Sequence, residues 1–132
     1  MERQAFEKLV AEGFDAIPEK FRARIKNVVL MVEDEPSAEV RKQEGLGANE
    51  TLLGLYTGWP LSERGDHYGV GTTMPDTILI FQKPIEAAAG ANQERLREIV
   101  AQTVWHEIAH HFGFNEAEVR VRERLHRRGQ KN

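Results

Sequence analysis

The stretch His106-Glu107-Ile108-Ala109-His110-His111-Phe112-Gly113-Phe114-Asn115-Glu116 has the pattern HExxHxxGxxE. On an α-helix, His106 and His110 are separated by about 40° of rotation, so both imidazoles leave one face and can share a tetrahedral metal ion. Glu107 follows His106 at about 100° of rotation, close enough to act on a metal-activated water without ligating the metal. A catalytic zinc takes three protein ligands and one water, so two histidines leave one donor to be found. Gly113 can end the helix in the left-handed conformation and turn the chain back, which makes Glu116 the expected third ligand. His111 lies about 100° from His110 and is poorly placed to replace it, so a surface position or a supporting contact behind the ligands is expected.

The helix carrying this stretch is expected over residues 93–112, with Asn92 as its N-cap. Leu96, Ile99 and Val100 form one apolar sector. Val104, Trp105, Ile108, Ala109 and Phe112 form a second, mostly opposite the histidine pair. A helix buried on one flank and lining a cleft on the other gives this pattern, which places it at the centre of the fold. After Gly113, Asn115 and Glu118 have the spacing of a capping box for a last helix through about residue 127. That gives Glu118 a structural role and leaves Glu116 ahead of it as the ligand. Arg120, Arg122, Arg124, Arg127, Arg128 and Lys131 then read as a solvated helix face and tail, because Glu123 interrupts them and the chain is acidic overall.

At 132 residues the sequence is expected to form one domain, residues 1–132, with a core large enough to fold without a structural metal. No cysteine is present, which excludes thiolate zinc sites and a cysteine nucleophile and leaves histidine and carboxylate as the strong ligands. Lack of cysteine, of a secretory signal and of a transmembrane run fits a cytoplasmic protein with no membrane partner. The net charge of −3 offers no general attraction to nucleic acid, so none is expected as a partner.

Along the chain, residues 2–12 place Phe6, Leu9 and Val10 at helical spacing, with Gly13 the expected end of that helix, and Pro18 opens a second short helix carrying Phe21 and Ile25. Val28, Val29, Leu30, Met31 and Val32 form a continuous apolar run, expected as a strand buried on both faces. A short helix around residues 38–43 is followed by a loop. Residues 52–56 read as a second strand, and Gly58, Pro60, Gly65, Gly69 and Gly71 mark a turn-rich segment carrying His67 and Tyr68. Tyr68 is a candidate helper at a reacting carbonyl. Residues 77–81, TILIF, form a third strand, either interior or an edge strand that pairs with an extended substrate. Gly90 separates a short alanine-rich helix from the long one.

HEIAHHFGFNE, with LLGLYTGWPL, PDTILIF and the chain length, resembles the small bacterial zincin-like family of zinc metallopeptidases from about Leu52 through the last helix. The resemblance implies an α+β zincin-like fold, a small mixed sheet packed on a central active-site helix with flanking helices. It also implies a zinc ion held by His106, His110 and Glu116, where Asp is the family's usual third residue, and Glu107 as general base in hydrolysis of a peptide or protein substrate. Metzincins share part of the motif but place a methionine turn after the third ligand, and this chain has no methionine after Met74. Two other classes are a zinc-binding module without turnover and a zinc hydrolase acting on RNA. An rRNA-maturation endonuclease family has a similar helix-glycine-ligand layout, but with Gly after the first histidine and a third His ligand. Glu107 therefore favours peptide chemistry.

Overall fold

The computed structural model describes residues 1–58 and 75–113. His67, Tyr68, Glu116, Glu118 and the expected last helix lie outside the described residues. The elements are α1 (Arg3–Asp15), α2 (Glu19–Arg22), β1 (Val28–Glu33), α3 (Ala38–Gln43), β2 (Gly54–Thr57), β3 (Asp76–Phe81), α4 (Gln82–Ala89) and α5 (Gln93–His111). Helices and a small mixed sheet make this an α+β fold. α1 continues through Gly13 to Asp15 rather than ending there. α5 starts as its sequence requires: the Asn92 side chain accepts a hydrogen bond from the Arg95 amide at 3.0 Å, satisfying one of the open N–H groups of the first turn. Pro84 sits in the first turn of α4, where its missing N–H costs no helical bond.

β3 is the middle strand of the described sheet, parallel to β1 and antiparallel to β2. TILIF is therefore interior, and the edge-strand alternative for it is overturned. Its alternate side chains explain the placement, since Ile78 and Ile80 are fully buried on the helix side of the sheet. β1 alternates between half-buried and exposed positions, so the expectation of a strand covered on both faces is also corrected: Val29 and Met31 are 40% and 45% exposed. Its apolar run supplies one buried face through Val28, Leu30 and Val32, which pack on the core.

That core joins Phe6 and Val10 of α1, Ile78 and Ile80 of β3, and Val100, Val104 and Ile108 of α5. α5 is thus the helix on which the other elements converge. Phe21 covers its far side, with its ring edge on Trp105 at a centroid distance of 5.2 Å.

Candidate functional site

His106 and His110 leave α5 on the flank that escapes the core, and both are only partly buried. Their Nε2 atoms converge to 3.3 Å, with the ring planes inclined by 68°. Two nitrogens bound tetrahedrally to zinc at about 2.0–2.1 Å each must lie about 3.4 Å apart. The observed pair has that separation, so this donor set fits zinc. Among the described residues no group of three metal-ligating side chains forms. The expected third donor, Glu116, lies beyond them.

Glu107 is 8% exposed and lines, with His106, a cleft of about 430 Å³. The other wall is the lead into β2, residues 52–54. Gly54 makes the close approach possible: a Cβ there would lie 2.8 Å from Thr103 Cγ2, 3.1 Å from the Leu79 carbonyl oxygen and 3.2 Å from Glu107 Cγ. The strand therefore rests directly on the glutamate. The Leu53 carbonyl points toward β3, where it accepts from the Phe81 amide at 2.9 Å. Antiparallel alternation then turns the peptide group of Gly54 away from β3, to the side of β2 that is an edge among the described residues.

At its other end α5 stops as the glycine predicts. Phe112 caps the helix, and Gly113 has φ +89°, the left-handed region that redirects the chain just after the histidines. The position of His111 differs from a surface one: the side chain is fully buried. Its Nε2 accepts from the Lys26 amide at 3.2 Å, so Nδ1 carries the proton and donates to Asp76 Oδ2 at 2.8 Å. The same oxygen accepts from the Tyr56 hydroxyl at 2.6 Å. One buried carboxylate thereby ties the end of α5 to the start of β3 and to β2. Nothing in the spacing of His111 announces this, because its partners come from distant parts of the chain. Gly54 and Thr103 carry no site signal in the sequence either, since a glycine before a strand and a threonine on a helix are ordinary.

An α+β domain whose central helix sets a convergent histidine pair and a glutamate along a cleft has the features of a zincin-like protein. The chain belongs to the zincin-like metallopeptidase family, whose family model matches residues 25–126. Members of this family typically bind zinc. Among solved structures, a conserved hypothetical protein from Thermo thermophilus is similar at a TM-score of 0.56 and 23% sequence identity, over 85% of this chain and 94% of that one. At that identity the likeness concerns the fold. No curated protein matches the chain. Among the described residues no helix is long and apolar enough to cross a membrane.

Proposed function

We propose that the protein is a zinc-dependent peptidase in which His106, His110 and Glu116 hold the metal and Glu107 is the general base. The observation that carries this reading is the convergence of the two Nε2 atoms at 3.3 Å beside a glutamate lining the same cleft. When bound there, zinc supplies a Lewis acid and lowers the pKa of a water to about 7. Glu107 takes the proton of the attacking water and delivers it to the leaving amine. The close approach of Gly54 to its Cγ limits the movement of the Glu107 stem beside the cleft. The outward peptide group of Gly54, which lines the cleft, pairs with the backbone of an extended substrate, a mode that binds through main-chain hydrogen bonds with little sequence demand. This gives β2 the role that TILIF, as an interior strand, lacks.

The test is metal analysis of the purified protein combined with hydrolysis of an unbiased peptide mixture. Wild type and Glu107→Ala are expected to hold one zinc per chain, while Glu107→Ala loses activity by about 10²- to 10⁴-fold. Glu116→Ala is expected to lose zinc at a chelator concentration that wild type withstands. Sub-stoichiometric metal after zinc reconstitution would overturn the metal site. Stoichiometric zinc in wild type without cleavage of any peptide would overturn the peptidase and leave a zinc-binding module.

A further inference from the structure

We infer that His111 is a positioning residue for the metal centre: pinned by the described sheet, it fixes the last turn of α5 and with it the direction of the His110 imidazole. The inference rests on the metal-binding part of the reading above. His106 and His110 differ in what holds them. His106 follows Trp105 and lies inside the helix, where the backbone bonds continue on both sides. His110 comes in the last turn, where carbonyls run out of helical partners. There only the Phe112 amide on the Ile108 carbonyl, at 3.2 Å, and the Gly113 amide on the His110 carbonyl, at 2.8 Å, close the end. Ile108, Ala109 and Phe112 press this turn onto the core, but apolar burial is non-directional and tolerates a small rotation. The His110 Nε2 stands roughly 6–7 Å from the helix axis, so a rotation of about 10° moves it by about 1 Å. A functional group of this kind has to be held within about 0.5 Å.

His111 supplies the missing direction. Its Nδ1 donates to Asp76, the first residue of β3, and its Nε2 accepts from the amide of Lys26, in the lead into β1. These two supports are joined to each other, because the Asp76 amide donates to the Asn27 carbonyl at 2.9 Å. β2 enters through Tyr56, whose hydroxyl donates to the same Asp76 oxygen and whose ring meets the His111 ring edge-on at a centroid distance of 6.1 Å. A ring bound at both nitrogens is fixed in its plane as well as in its place, and so is the helical turn that carries it. An apolar side chain in the same space would bury as much surface without desolvating an imidazole and a carboxylate. What the polar set adds is orientation, delivered one residue from a metal ligand.

The experiment measures zinc affinity by competition with a chromophoric chelator, and the visible absorption of the cobalt(II)-loaded protein. It compares wild type, His111→Phe, His111→Asn and Tyr56→Phe, with the core variant Ile85→Ala as control. Circular dichroism first establishes that each apoprotein is folded at the working temperature, because a less stable chain that is still folded keeps its intrinsic affinity. His111→Phe is expected to weaken zinc binding by about 10- to 100-fold, the usual effect of losing a group that orients a metal ligand. It should also change the cobalt spectrum, which follows the arrangement of donors around the ion. His111→Asn, whose Nδ2 takes the place of Nδ1 and donates to Asp76, should recover most of that affinity although it packs less well. Ile85→Ala, which truncates a fully buried side chain on α4, should keep wild-type affinity within about twofold. Wild-type affinity and spectrum in His111→Phe, or an equal loss in Ile85→Ala, would overturn the inference and leave the metal site standing. If His111→Phe does not fold, Tyr56→Phe decides: it is expected to weaken zinc several-fold and shift the cobalt spectrum, and wild-type values would overturn the inference. Stoichiometric zinc with these changes, but no peptide hydrolysis by wild type, would support the inference and overturn the peptidase alone. A wild type that takes up no zinc would overturn the metal site and the inference together.

Discussion

His111 stands next to a proposed zinc ligand yet is fully buried, hydrogen-bonded to Asp76 and to the Lys26 amide. Asp76 is 3% exposed and its Oδ2 accepts from both His111 and Tyr56. Burial of a carboxylate is tolerated only when its hydrogen bonds are made, so the two donors stabilise one acceptor jointly. Tyr56→Phe is expected to cost about 1.5–3 kcal/mol in urea denaturation, the usual effect of losing a hydrogen bond to a charged group. His111→Phe should cost about 3 kcal/mol or more, since it also leaves the Lys26 amide without its partner. The double variant should depart from the sum by about 0.5–3 kcal/mol, and strict additivity would show that the two donors act independently. The histidine pair was legible in the sequence because helix geometry alone brings i and i+4 together. His111 was not, because burial and partners depend on Asp76 and Lys26, which only the tertiary fold brings near.

At the scale of elements, periodicity located the three strands, α3 and α5 to within a residue or two, while α1 runs three residues past its expected span and α2 stops before Ile25, and strand order is a non-local property. TILIF reads equally well as edge or centre; the parallel pairing of β1 with β3 decides it. The apolar run of β1 suggested two covered faces, but as an outer strand among the described residues it covers one. β2 looked unremarkable, and its first residue proves the most constrained contact with α5. Gly54→Ala would press a methyl group on the Thr103 methyl, the Leu79 carbonyl and the Glu107 stem. A cost of about 1–3 kcal/mol is expected from overpacking, together with a fall in peptide hydrolysis larger than that of an equally destabilised core variant such as Ile78→Val. Thr103→Ser removes the methyl nearest to the added one, so combining it with Gly54→Ala should restore part of the stability. If Gly54→Ala leaves thermal stability and turnover unchanged, the strand does not rest on the glutamate as described.

For the whole molecule the question is whether zinc holds the fold together or only equips it. The buried cluster joins α1, β3, α4 and α5 through Phe6, Ile78, Ile80, Ile85, Val104 and Ile108, and none of these side chains lines the cleft. The histidine pair sits on a flank of α5 that is only partly buried, where the Nε2 atoms converge, and neither histidine belongs to the buried apolar cluster. The apoprotein is therefore expected to remain folded at 25 °C, with zinc adding stability by mass action alone. At free zinc 100-fold above the dissociation constant that increment is about 2.7 kcal/mol, and it rises by about 1.4 kcal/mol for each further tenfold. In a domain of this size each kcal/mol corresponds to about 3–6 °C in Tm, so chelation should lower Tm by about 8–16 °C while far-UV circular dichroism at 25 °C keeps its helical signal. Zinc titration back into the apoprotein should raise Tm continuously with the logarithm of free zinc, and His110→Ala should abolish that rise without unfolding the chain. Loss of the helical signal on chelation at 25 °C would show instead that the metal is needed to assemble the core, and that α5 is held by the ligands it carries rather than by the residues packed beneath it.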